Sequence, residues 1–323
     1  MKLVFKKYGI GICLIIGLGS CVKELQPESN GYQAKPVIWA ILNLDSTITI
    51  VTSGNMGIKT TDVLDISQVG MFLFEDENIV DHILLKSLQG DSQTHRFKIK
   101  PKKFKTYTLK LLNSTMEVSG SVQMPNPLQK PDELKLTQGE NAQLSYTLLD
   151  DGSFSDAYQF KVEIYHSGIL IDTATNDTIN NKYSFIKYYD KYEEPTLNYN
   201  FLNLNTIGTD VFTFPVTDNL FNGKKKTFLF TLQNQVSNVF FRFRIPFTKG
   251  VVSDKMICTR QFVLIKCRNI SPEYYKFILS ENKNNAIFGT PYFNPGNVYS
   301  NINGGLGLIG GMAERVDTVW IRK

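Results

Sequence analysis

Histidine, cysteine and long apolar runs are all scarce in this chain. Its 323 residues include 3 His and 4 Cys. No CxxC or HxxxH spacing occurs, so the clustered ligands of a structural zinc site are missing and no metal site is expected. G-x-S-x-G is absent, and none of His82, His95 or His166 stands beside a Ser or Cys nucleophile motif. Beyond the N-terminus no stretch reaches the ~18 consecutive apolar residues of a membrane-spanning helix. A strong charge imbalance is lacking too. The formal net charge is +5, and Lys2, Lys6 and Lys7 supply three of those charges, which leaves +2 for the rest. The basic pI of about 8.8 therefore reflects the N-terminus in part, and nucleic-acid binding is not implied.

What is present begins with that N-terminus. Lys2, Lys6 and Lys7 precede an apolar core, Tyr8 to Gly17, which is too short to span a bilayer. Leu18-Gly19-Ser20-Cys21 follows. Small residues at 19 and 20 admit the backbone to a peptidase cleft. Cleavage after Ser20 would leave Cys21 at the new N-terminus, its thiol open to acylation (palmitate or similar). This is the pattern of a bacterial lipobox. It predicts a signal peptide at 1–20 and a chain held to membrane lipid through Cys21. A diacylglyceryl group with an N-acyl chain supplies the two or more chains that stable anchoring needs. Val22-Lys23-Glu24-Leu25 carries a lysine and one acid soon after the cysteine, a partial form of a surface-export signal. An outer-membrane anchor facing the cell exterior is expected, with a periplasmic face as the alternative. Residues 21–35, with Pro27, Ser29, Asn30 and Gly31, read as a tether.

The remainder is β-rich in pattern, with 22 Phe and 15 Tyr in short runs broken by Asn, Asp, Gly and Pro. Strands are expected at 37–44, 47–52, 69–74, 79–85, 95–100, 107–111 and 118–124. Seven strands in about 90 residues fit a small Greek-key sandwich. Pro125-Asn126-Pro127 marks a boundary, which gives an N-terminal sandwich at 36–125 and a C-terminal β-rich domain at 126–323. There, strands are expected at 143–149, 159–165, 168–173, 211–216, 226–232, 239–245, 259–268 and 316–321. The fold class is all-β: two Ig-like or Greek-key sandwiches with one short helix. Ser271 as cap, Pro272 at the first position and Glu273 in the first turn predict that helix over Pro272–Glu281. Cys258 and Cys267 lie nine residues apart on one expected strand, about 30 Å if extended. A disulfide needs Cα atoms within about 7 Å, so the two are read as free, buried thiols.

Few motifs suggest chemistry. Gly304 to Gly311 superficially resembles a phosphate loop, but no GK[ST] follows, so close backbone packing is expected. Asp150, Asp151 and Asp156 flank a Gly-containing turn, as Glu75, Asp76 and Glu77 flank another. Both groups read as solvated turn carboxylates. Calcium at Asp150-Asp151-Gly152-Ser153 lacks the spaced oxygen ligands of a defined loop. Lys224-Lys225-Lys226 reads as a solvated turn. The stretch 183–199 is crowded with rings, and Tyr183, Tyr188, Tyr189 and Tyr192 are its candidate contacts. Two readings fit it: rings stacking on a glycan, peptide or partner protein, or rings filling a sandwich core. No catalytic residue and no cofactor is identified.

Three segments bear a resemblance to a known family. Ser271-Pro272-Glu273-Tyr274-Tyr275-Lys276-Phe277, Phe293-Asn294-Pro295, and Val298-Tyr299-Ser300-Asn301-Ile302-Asn303-Gly304-Gly305-Leu306-Gly307 are similar to the closing signature of a family of Bacteroidetes lipoproteins known only as a domain of unknown function. Asp218-Asn219-Leu220-Phe221-Asn222-Gly223-Lys224 resembles its mid-chain turn, and Tyr107-Thr108-Leu109 with Pro125 the end of its N-terminal domain. The resemblance implies two β-sandwiches behind a lipobox, with TonB-dependent β-barrel receptors as frequent neighbours. It brings no catalytic residues. The expectation is a non-enzymatic accessory of a TonB-dependent nutrient transporter. A surface adhesion or structural module, and a hydrolase whose site assembles only in space, are the alternatives.

Overall fold

The computed structural model describes residues 35–54, 66–88, 92–137, 141–153, 155–172, 178–188, 215–233, 242–243, 254–287 and 298–322. The first seven strands are β1 (Pro36–Asn43), β2 (Thr49–Gly54), β3 (Ile66–Glu75), β4 (Asn78–Leu88), β5 (Gln93–Arg96), β6 (Thr106–Leu112) and β7 (Glu117–Gln123). Each answers an expected run, although β5 ends at Arg96 where alternation suggested extension to Lys100. Period-2 burial explains the assignments. In β6 every second residue is buried, and Tyr107, Leu109 and Leu111 face the core. β3 and β4 meet at a tight turn where Asp76 takes a positive φ of 55°. Its main-chain N–H donates to the Thr106 carbonyl at 2.7 Å, and its carboxylate pairs with Lys105 Nζ at 2.6 Å.

Ten further strands follow: β8 (Glu133–Thr137), β9 (Asn141–Leu149), β10 (Ala157–Asp172), β11 (Thr178–Tyr188), β12 (Val216–Thr217), β13 (Lys225–Gln233), β14 (Arg242–Phe243), β15 (Asp254–Ile270), β16 (Ile302–Asn303) and β17 (Leu306–Arg322). The single α-helix described, α1, spans Pro272–Ile287. The fold is thus all-β with one helix. Three sheets are present: β16-β7-β6-β3-β4, β13-β9-β8, and a sheet ordered β11-β10-β15-β17-β1-β2-β5, onto which β12 and β14 also pair. The expected runs 159–165 and 168–173 are one strand, β10, with a register shift between Ser167 and Gly168. That irregularity is what the glycine marks. β8 lies outside the expected strands. It edges its sheet and alternates only between exposed and half-buried, so its polar sequence carries little signal. Cys258 and Cys267 share the single strand β15, and Cys267 is a free, buried thiol whose pKa burial raises.

Two cores result. The first gathers Ile38, Ile50, Met71, Tyr107, Leu111, Val122 and their neighbours between β1–β2 and the five-stranded sheet. The second gathers Leu144, Tyr146, Phe160, Val162, Phe228, Phe230 and Ile265 between β10–β15 and the three-stranded sheet. At its centre the Phe160 ring lies 4.5 Å from Phe228 and 5.5 Å from Phe230, centroid to centroid. Each such ring contributes about 1.5–3 kcal/mol by leaving water.

β17 belongs to both halves. Leu306 to Met312 pairs in parallel with Val37 to Asn43 of β1, and Met312 to Arg322 pairs antiparallel with β15. Ile302 and Ile309 are consequently part of the first core, although their sequence position places them in the second domain. Sequence patterning suggested a strand only at 316–321, because glycines hide its first half. Those glycines are required by crowding. Gly307 has a φ of 114°, and a Cβ there would drive into the main-chain carbonyl oxygen of Ile38. A Cβ at Gly310 would lie 2.9 Å from that of Tyr274 on α1. Ser271 completes the joint. Its Oγ accepts from Tyr274 N–H at 3.3 Å, as a helix cap, and from Gly311 N–H at 3.1 Å. Its own N–H donates to the Gly311 carbonyl at 2.8 Å.

Two expected outcomes follow from this packing. Gly307→Ala forces a strained φ and a main-chain collision together, and should lower unfolding free energy by about 3 kcal/mol in urea titration. The second concerns Glu75, which accepts from Tyr107 Oη at 2.6 Å and pairs with Lys102 Nζ at 2.8 Å. Lys102, then Tyr107, holds its carboxyl below the ordinary value of 4.5. A depressed carboxylate stabilises the fold above its unfolded pKa, and that stabilisation is lost as pH falls through the folded value. Glu75→Gln should therefore flatten the stability–pH curve below about pH 4.5 and leave its neutral limb unchanged in shape.

Candidate functional site

The residues singled out from sequence do not form one site. Ser20 and Cys21 lie outside the described residues, as do Tyr189 and Tyr192. Tyr183 and Tyr188 are on β11, at the edge of the largest sheet, where their backbones pair with Gly168 and Glu163 of β10. An aromatic row does exist nearby, formed by residues the sequence did not single out. Tyr165, Phe262 and Trp320 come from β10, β15 and β17. The first two rings stack at 4.8 Å and 4°, and Phe262 lies 5.0 Å from Trp320. Trp320 remains 45% exposed. Cross-strand pairing places these rings side by side, a placement that single-strand patterns do not reveal.

A second constellation lies where three loops meet. Asp150 ends the segment after β9, Asp156 precedes β10, and Asp218 opens the 3₁₀ turn Asp218–Leu220. One carboxylate oxygen from each lies within 4.8 Å of the others. Asp150 and Asp156 are not solvated turn residues as their sequence context suggested. They are 5% exposed and Asp218 is 0% exposed. The reason is the turn 218–224, which folds over them. Asp150 N–H donates to the Lys224 carbonyl at 3.2 Å, and Asp218 N–H to the Asp156 carbonyl at 3.1 Å. Gly223 N–H donates to Asp150 Oδ2 at 2.7 Å. Only Asp151 of the original group stays partly solvated, accepting from Ser153 N–H at 3.2 Å.

The rest of the cluster is held by hydrogen bonds from Tyr158, Asn269 and the main chain. Tyr158 Oη lies 2.5 Å from Asp150 Oδ1 and 3.1 Å from Asp156 Oδ2. Asp156 N–H donates to Asp218 Oδ2 at 2.8 Å. Asn269, near the end of β15, donates through Nδ2 to Asp156 Oδ1 at 2.8 Å and to the Asn126 carbonyl at 3.1 Å. Asn126 belongs to the Pro125-Asn126-Pro127 boundary, and its own Nδ2 donates to Asp151 Oδ2 at 2.8 Å. Among the described residues no Lys or Arg pairs with any of the three aspartates. Burial raises the carboxyl pKa of both Asp156 and Asp218, and the neighbouring carboxylates raise it further. Burial followed by the Asp150 bond likewise raises the Tyr158 phenol.

Asn269 is the residue that sequence reading missed entirely. Nothing in the mixed polar and apolar sequence of β15 marks it out. Asn269→Ala would leave Asp156 Oδ1 and the Asn126 carbonyl without a donor. A loss of about 1–3 kcal/mol in chemical unfolding is expected, larger than for the partly exposed Asp151→Ala.

Among the described residues no helix is long and apolar enough to cross a membrane. No curated protein is significantly similar in sequence. Of the solved structures that match, the FN1–FN3 domains of chicken CNTN1 cover 90% of this chain and 69% of their own. The identity is 9% and the TM-score 0.26, a level that implies no shared arrangement. The family match is extensive by contrast: residues 23–318 match DUF4249, a domain of unknown function, and the chain belongs to that family.

Proposed function

We propose that this protein is an outer-membrane lipoprotein, anchored through Cys21 and facing the cell exterior, that serves a TonB-dependent nutrient transporter as a non-enzymatic accessory. The observation that carries the reading is Leu18-Gly19-Ser20-Cys21 behind a basic, short apolar leader. Confinement to a leaflet raises the local concentration of the β body around a membrane partner. A modest interface then suffices. Two features of the body favour a binding role. The Tyr165–Phe262–Trp320 row ends in a half-exposed indole, a surface suited to stacking on a sugar ring or a peptide. β11, which carries Tyr183 and Tyr188, borders the same sheet, and Tyr189 and Tyr192 follow directly in sequence.

The reading is tested in the native host by metabolic palmitate labelling of wild type and Cys21→Ser. Label in the wild type, its loss in the variant and release of the variant from the envelope are expected. An unlabelled wild type, with both proteins fractionating alike, overturns the anchor. Protease treatment of intact cells should digest the wild-type body, and affinity capture in mild detergent should recover a β-barrel receptor. An intact body, or capture without a receptor, removes the transporter part of the reading.

A further inference from the structure

The buried aspartates are short of positive charge in a specific way. Asp150, Asp156 and Asp218 together with Asn269 Oδ1 present seven acceptor oxygens. Four donor protons reach them: from Gly223 N–H, Tyr158 Oη–H, Asn269 Nδ2 and Asp156 N–H. The Tyr158 hydroxyl has one proton, and the 2.5 Å approach gives it to Asp150, so Asp156 Oδ2 faces a lone pair at 3.1 Å. Among the described residues Asp218 Oδ1 has no hydrogen-bond partner.

An independent observation comes from Asn269, which is not a carboxylate and is 1% exposed. The orientation of its amide is fixed by contacts, because Nδ2 bonds two acceptors, Asp156 Oδ1 and the Asn126 carbonyl. That leaves Oδ1 of the same buried amide, which is bonded to the cluster through Nδ2, with no donor among the described residues. Every unsatisfied atom here is an acceptor. A missing anion is thereby excluded, and a missing cation is what the chemistry asks for. Two oxygens coordinating one calcium ion at 2.3–2.6 Å stand no more than about 5.2 Å apart. The three carboxylates, with one oxygen each within 4.8 Å of the others, meet that condition.

We infer that Asp150, Asp156 and Asp218 form a binding site for one calcium-type divalent cation, beside the buried amide of Asn269. All donors are hard oxygens, which suits calcium and magnesium and disfavours softer metals. Calcium accepts mono- or bidentate carboxylates in irregular geometry, whereas magnesium demands a near-ideal octahedron, so calcium is the better fit to this set. The ion would tie together the end of β9, the start of β10, the turn 218–224 and, through Asn269, the Asn126 boundary. The inference is independent of the membrane anchor.

Calcium is the probe. Titration calorimetry on the purified, chelator-treated protein should give one site per chain. Saturating calcium should raise the melting temperature by roughly 5 °C or more, reversed by EDTA. Asp218→Asn should weaken binding roughly 100-fold, because ligand charge sets affinity, whereas Asp151→Asn should bind as the wild type does. If Asp218→Asn does not fold, the wild-type calorimetry and the Asp151→Asn control decide alone. Absence of binding in the wild type overturns the site, and so does an undiminished response in a folded Asp218→Asn protein. Equal heats for magnesium and calcium overturn the calcium assignment.

Discussion

The architecture depends on a strand that has two owners. β17 exchanges main-chain hydrogen bonds with β1 over its first half and with β15 over its second, and Met312 is the residue at which the partner changes. Neither half can be satisfied without the other element in place, since an unpaired interior strand leaves a row of buried N–H and C=O groups without partners. The parallel pairing with β1 closes the chain's first described strand on its last. Such a contact spans nearly the full sequence, so its loop-closure entropy is among the largest in the fold. The Ser271–Gly311 bonds and the seat of α1 over Gly310 fix the same joint from the side. Two sandwiches that would otherwise be tethered by a proline-rich boundary therefore share one continuous sheet.

The extent to which this was legible in sequence follows physical lines. Where a strand has one face in a core and one in water, residue alternation reports it, and β1 to β7 were visible for that reason. β10 was partly legible. From Ala157 to Ile164 it is buried on both faces, with Lys161 and Glu163 ion-paired at 2.7 Å inside, so no alternation of polar and apolar residues marks its bounds. The first half of β17 was illegible because the crowding that excludes a Cβ also erases the hydrophobic signal. α1 runs to Ile287, past the expected end at Glu281, because helix propensity is a weak guide once an end is capped and docked.

The aspartate cluster shows a different limit. Asp150 and Asp156 border a glycine turn, and Asp218 lies 62 residues beyond Asp156 in a segment with its own turn character. Each residue taken singly reads as a solvated turn carboxylate. Only the approach of the two loops, close enough that a Cβ at Gly152 would lie 3.0 Å from Gly223 Cα, removes water from all three. Nothing in the sequence around either loop encodes that approach. The resemblance of 218–224 to a recurrent mid-chain turn was the one local hint that the segment has a fixed role.

Burial of like charges has a consequence for how the boundary behaves. Three carboxylates in a dry site repel, and uncompensated burial of even one costs several kcal/mol. A fold that nonetheless keeps them must receive compensation from donors, protons or an ion. The donors that reach them are too few. An ion would remove the repulsion, and it would do so beside Asn126, whose carbonyl accepts from Asn269. The rigidity of that boundary is then set by the surrounding solution rather than by the chain alone. On the proposed lipid tether, such a boundary would be firm where calcium is plentiful and looser where it is scarce.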